Sequence, residues 1–139
     1  MSIMSAVIGG CGLSQSQVDA SILAANNCRH YDVIIDDDGV WEFPFGNNLS
    51  NGIVIVGCNN SGHRGIFAVR ARSSPFCDAI ASTGIDTSTS VLTGTTGTDG
   101  NVTLSAASDA SLYLENRRNF AMVFSVVIAS KFTPDVDLF

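Results

Sequence analysis

"GIVIVGCNNSGHRGIFAVRAR", residues 52–72, is the stretch whose reading decides the fold. Two apolar runs flank the polar segment "NNSGHR" at 59–64. In the second run Phe67, Val69 and Ala71 fall on one side, while Ile66, Ala68, Arg70 and Arg72 fall on the other. Alternation with a period of two is the mark of a strand, and Asn, Ser and Gly supply turn conformations. The stretch therefore reads as two strands joined by a turn. The same residues pose a chemical alternative, because Cys58 and His63 could meet across the end of such a hairpin. A thiolate nucleophile needs a base within hydrogen-bond reach, an orienting group and an oxyanion hole. Cys58, however, continues the register of Ile53–Val56 as a small apolar filler. The expectation is a packed thiol at 58, with His63 and Arg64 at an exposed tip.

Strand patterning extends outward from there. In "HYDVIIDDDGVWEFPF", residues 30–45, Tyr31, Val33 and Ile35 share one face, and Trp41, Phe43 and Phe45 share one beyond Asp38–Gly39. An Asp-Gly step supplies positive φ, so a tight hairpin is expected here. The three adjacent aspartates 36–38 resemble the start of a calcium loop, but such a loop needs ligands at alternating positions and a glutamate about eleven residues on. The corresponding region is "FGNN", which leaves a turn with at most adventitious cation binding. The aromatic trio could serve as a sugar platform, yet its alternation is that of a core face.

Pro75 interrupts before "FCDAIAS", and residues 83–110 are rich in Thr, Ser, Gly and Asp. That composition suits a flexible linker, although "SVLTG" and "NVTLSA" look like short strands. "SLYLENRR" and "NFAMVFSVVIAS" follow. In the latter Phe120, Met122, Phe124, Val126 and Ile128 line one face, and the other face is nearly as apolar. Such a strand belongs at the centre of a sandwich or at a subunit contact. Eight or nine short strands with frequent turns predict an all-β fold, an antiparallel β-sandwich or jelly roll spanning 30–130. Residues 1–29 form an N-terminal arm or a short helix capped by Ser16, and 131–139 a C-terminal tail.

At 139 residues one domain is expected. Hydrophobic residues make up 45% of the chain and charged ones 14%. So little charge implies that much of the exterior is covered by other protein copies. The longest apolar run is about half of the roughly 20 residues a spanning helix requires, and no leader pattern is expected at the N-terminus. A net charge of −6 argues against nucleic acid as a partner. Cys11, Cys28, Cys58 and Cys77 lack zinc spacing and are expected as free buried thiols. His30 beside Cys28 lacks enough ligands for a metal site. Glu42 and Glu115, the only glutamates, are joined by nothing in the sequence. No Walker loop, dinucleotide fingerprint or nucleophile elbow occurs. No catalytic, cofactor-binding or metal residue is therefore assigned. Arg70, Arg72, Arg117 and Arg118 are either anchors for subunit contacts or solvated turn residues.

With the strands laid out, "NGIVIVGCNNSGHRGIFAVRA" and the later "LTGTTGTDGNVTLSAASDASLYLENRRNFAMVFSVVIAS" resemble small β-sandwich virion proteins of tailed bacteriophages. Leu112–Asn116 and Asn119–Ser130 match the closing pair of strands in that pattern, and the likeness covers about residues 50–130. The resemblance implies a non-enzymatic structural protein: a capsid decoration (cement) protein, or else the tip of a head or tail fibre that binds a receptor or glycan. It further implies a homotrimer, the major capsid protein as partner, and a virion assembled in the host cytoplasm. The arm 1–29 and the tail 131–139 would be the bridging elements.

Overall fold

The computed structural model describes residues 28–44 and 51–130. Nine strands follow in the order β1 (Cys28–Ile35), β2 (Gly39–Pro44), β3 (Gly52–Cys58), β4 (Arg64–Arg70), β5 (Phe76–Thr83), β6 (Ile85–Ser88), β7 (Val102–Ala106), β8 (Ser111–Asn116) and β9 (Met122–Ser130). No helix occurs among the described residues. The expected strands at 52–72 form: Ile55 pairs with Ile66 and Gly57 with Arg64, and the Cys58 amide donates to the His63 carbonyl at the turn. Val54, Val56, Phe67 and Val69 are fully buried on one face, as the alternation requires.

The strands build two sheets, β1-β9-β3-β4-β5 and β2-β8-β7-β6. All pairings are antiparallel except β6 with β7, which is parallel. This is the predicted β-sandwich. Between the layers pack Ile35, Phe67, Leu104, Leu112, Leu114, Met122, Phe124 and Ile128. β9 lies between β1 and β3 and is buried along its Met122, Phe124, Val126 and Ile128 face, which confirms its central place. β9 starts later than expected, because Asn119 takes a positive φ of 71° and Phe120 turns outward against the Arg118 guanidinium.

Asp38–Gly39 does not make a hairpin. Gly39 N donates to Asp36 O at 2.9 Å and Asp38 sits at φ 56°, so the turn itself forms. Its two strands, though, enter different sheets: β1 pairs with β9 and β2 with β8. The aromatic residues explain this. Tyr31 on β1 meets Trp41 and Phe43 on β2 at centroid distances of 5.5 and 5.1 Å, closing the edge between layers. Side chains that share one face of a hairpin instead oppose each other across the sandwich. The opposite edge closes in the same way, where β5 passes through Gly84 into β6. Cys28 and Arg29, assigned to the arm, belong to β1; the remainder of that arm, Phe45 and the tail lie outside the described residues.

Residues 89–101 are neither linker nor strand, and "SVLTG" has no ladder partner. They form the crossover that a parallel β6–β7 pair demands, and they fold over the outer face of the four-stranded sheet. Leu92 packs on Ala107 and Tyr113, and Ser105 Oγ donates to Ser90 O. Consequently every residue of β7 and β8 is buried on both faces. Under this layer Glu115 is 0% exposed. Its carboxylate accepts Gly94 N at 2.8 Å, Thr96 N at 3.1 Å and Gly97 N at 2.7 Å. Gly97 must be glycine, since a Cβ would stand 2.6 Å from both Glu115 Oε1 and Thr103 Oγ1. Gly94, at φ 105°, presses against the Asp38 carbonyl.

Glu115→Ala strips three backbone donors of their acceptor and leaves a hole beneath them. The expected cost is about 3 kcal/mol or more, read as a lower denaturant midpoint. Glu115→Gln loses less, because one oxygen remains. Unchanged midpoints in both variants would show that the crossover does not depend on this side chain.

Candidate interaction surfaces

The tip of the β3–β4 hairpin holds the residues that raise the question of cysteine chemistry, and each is occupied locally. Cys58 Sγ donates to Asn60 Oδ1 at 3.1 Å and packs partly against the core. The Asn60 amide also accepts Val123 N and donates to Ala121 O, stitching the turn to the start of β9. His63 Nδ1 lies 2.6 Å from Ser61 Oγ, which also accepts from His63 N at 3.3 Å. Ser61 Oγ thus holds both the backbone amide and the ring of His63. Burial, then the nearby Arg118 charge, holds His63 below the usual histidine range. The thiol thus donates to an amide and the imidazole faces a hydroxyl. Arg64 stands exposed beside them and donates to Gly62 O.

A second histidine cluster joins residues far apart in the chain. His30 Nε2 is 3.1 Å from Ser125 Oγ and 3.2 Å from Asp32 Oδ1, and Ser125 Oγ donates to Asp32 Oδ1 at 2.7 Å. Serine, histidine and aspartate together invite comparison with a hydrolytic triad. In a triad the aspartate holds Nδ1 while the serine meets Nε2. Here both oxygens crowd the same nitrogen and the serine proton goes to the carboxylate, so the trio fixes the β1–β9 edge. The pairing Asp32↔Ser125 would have exposed it, but that register is not readable from sequence.

The other polar candidates are also built into the fold. Arg117 Nε donates to Asp38 Oδ1 at 2.9 Å, and its Nη1 to Gly97 O at 2.8 Å, so it clamps the β1–β2 turn to the crossover. Arg118 donates to Gly100 O. Neither is the free surface anchor or the solvated turn residue expected. Asp37 accepts Asn119 N. No group of side chains suited to hold a metal occurs among the described residues. Glu42 accepts from Ser111 Oγ while Glu115 serves the crossover, so the two glutamates do not act as a pair. Trp41 and Phe43 pack half-buried against the core.

What is left open is the outer face of the five-stranded sheet. Ile34, Ile53, Ile55, Ile66 and Ile80 project from it, Ile34 being 72% exposed and Ile55 45%. Ile80 is the extra residue of a β-bulge between the Ile66–Ala81 and Phe67–Ala79 pairs. Strand register arranges the face in rows. One runs Cys28–Ala129–Ile53–Ala68–Asp78, the next His30–Val127–Ile55–Ile66–Ala81, and the third Asp32–Ser125–Gly57–Arg64–Thr83. Between β4 and β5, Ile55, Ile66, Ala81 and Thr83 rim a shallow hollow of about 430 Å³. On the other side of the molecule Asp86, Thr87, Ser88, Thr96, Thr98 and Thr103 line an open, hydroxyl-rich groove of about 540 Å³.

No protein-family model and no curated protein matches the sequence. Among solved structures, the tailspike protein of Acinetobacter phage vB_ApiP_P1 is similar at 10% identity with a TM-score of 0.36. The match covers 77% of this chain and 22% of the tailspike, so the chain spans about a fifth of that protein's length.

The thiols differ in setting. Cys28, expected to be buried, is exposed; Cys77 is buried, its thiol directed at the Leu104 carbonyl and pushed up to about 12, chiefly by burial. Thiol labelling of the native protein near pH 8 is expected to modify Cys28 rapidly and Cys77 only after denaturant is added. Comparable rates at both positions would contradict this packing. His63, lowered in the folded state, charges first in the unfolded chain. Stability is therefore fully present above the ordinary histidine pKa of about 6.5 and falls as pH drops below it. His63→Gln should flatten that part of the pH–stability curve.

Proposed function

We propose that this chain is a non-enzymatic structural protein of a tailed bacteriophage particle, and within that class a decoration protein that binds and stabilises the head shell. The observation that carries this reading is the asymmetry of the sandwich. One outer face is covered over its two central strands by the chain's own crossover, and the other presents isoleucines on a rigid sheet. Contiguous exposed apolar surface of this kind marks a protein-binding face. The sequence resemblance to small virion sandwiches supplies the class of assembly. The candidate nucleophiles are committed to packing and local hydrogen bonds, which suits a scaffold better than a catalyst.

Its action would be thermodynamic. A protein that binds the assembled shell, and binds its alternatives less well, stabilises that shell by mass action. Several weak contacts made by one oligomer gain strength through effective concentration. The major capsid protein is the partner in this reading, with the virion as its location. Residues 1–27 and 131–139 are the bridging segments.

A second reading, a fibre tip that binds a host glycan, draws on the hydroxyl-lined groove at Asp86–Ser88 and Thr96–Thr98. Immunogold labelling or a particle map of the phage that encodes the protein separates the two. Signal over the head lattice is the expected result. Signal at a fibre end, with saturable glycan binding lost in Asp86→Ala, favours the second reading. Particles that carry none of the protein overturn both.

A further inference from the structure

We propose that the outer face of the five-stranded sheet is closed by a second copy of this chain, related by a twofold axis running along β3. A sheet face with five exposed isoleucines marks a contact surface, and its pattern is complementary to itself. β3 is the middle strand, flanked by β9 and β1 on one side and by β4 and β5 on the other. A twofold parallel to β3 therefore lays β9 over β4 and β1 over β5, with each row meeting the same row of the other copy.

The consequences follow row by row. In the apolar row, Ile55 meets Ile55 on the axis and Val127 meets Ile66, entering the hollow rimmed by Ile55, Ile66 and Ala81. In the polar row, Arg64 faces Ser125 of the second copy. That sets it one strand spacing, about 4.8 Å, to the side of Asp32 on the facing sheet, within reach of its long side chain, and symmetry gives two such ion pairs. Gly57 stands on the axis between them, and the space where its side chain would be is open. In the remaining row Ile53 meets Ile53 on the axis, with Ala68 meeting Ala129 on either side of it.

Only a twofold brings a surface onto itself. This face therefore serves a twofold, not the threefold contact that the sequence resemblance implies. The footprint is roughly 20 Å by 23 Å from strand spacing and rise. Two copies together bury on the order of 1,000 Å², the lower range of specific interfaces.

Sedimentation or light scattering on the full chain tests the proposal, with a dimer of the 14.6 kDa protein expected in the micromolar range. Ile55→Asp places two carboxylates on the axis and is expected to give monomers with an unchanged circular dichroism spectrum, since the side chain is exposed. Arg64→Asp and Asp32→Arg should each weaken the dimer at least about tenfold. The double exchange should recover most of that loss, because each reversed charge again meets its opposite. A full chain that is monomeric, because another of its own segments or another protein covers the sheet, overturns the proposal. So does a trimer, or a double exchange no tighter than its singles. This proposal gives to self-association the face that the virion reading takes as its protein-binding surface, yet the two fail separately: a dimer that labels no particle sinks that reading alone, and a head-bound monomer sinks this one alone.

Discussion

Three backbone amides converging on one buried carboxylate hold the outer layer of this protein in place. Glu115 sits on a central strand with its side chain pointing away from the main core, a costly position for a charge unless it is fully hydrogen-bonded. The crossover supplies the hydrogen bonds. In exchange, a segment rich in Thr, Ser and Gly, with little apolar surface of its own, acquires a fixed path. Arg117 extends the arrangement by linking Gly97 to Asp38, so the β1–β2 corner and the crossover hold each other. Asn116 joins the same corner, its amide donating to Ile35 O and Phe120 O. Four consecutive residues, Glu115 to Arg118, thus tie together parts of the chain 80 residues apart.

Some of this was legible in the sequence and some was not, for identifiable reasons. The strands at 52–72 and 122–130 carry their period openly, because one face packs and the other does not. The Asp-Gly step correctly signalled a turn, but turn chemistry is local. Whether the two strands then pair with each other depends on competing partners, here β8 and β9, far downstream in the chain. Glu115 looked like an unattached acid because its partners are backbone amides, which leave no compositional trace. The nearest signal was the glycine-rich run at 94–100, one strand ahead of β8 with its single acid among apolar residues. The Ser125–Asp32–His30 cluster was invisible for the same reason that β1 and β9 pair at all: register is a property of the whole sheet.

The two outer faces show what the crossover accomplishes. Where it lies, serine, threonine, tyrosine and glutamate are buried and satisfied. Where it does not, isoleucines remain in view, and their rows repeat about the middle strand. The exposed isoleucines therefore have a common location rather than being spread over the molecule.

The position of β9 has a consequence for how the protein is made. It is the last strand described, yet it lies between β1 and β3, so neither can complete its ladder until residues 122–130 have emerged. During synthesis roughly a hundred residues wait with unpaired strand edges, and closing so distant a pairing is slow. A ribosome pausing before β9 would hold an aggregation-prone half-sheet, and release of that last strand would let the sheet close.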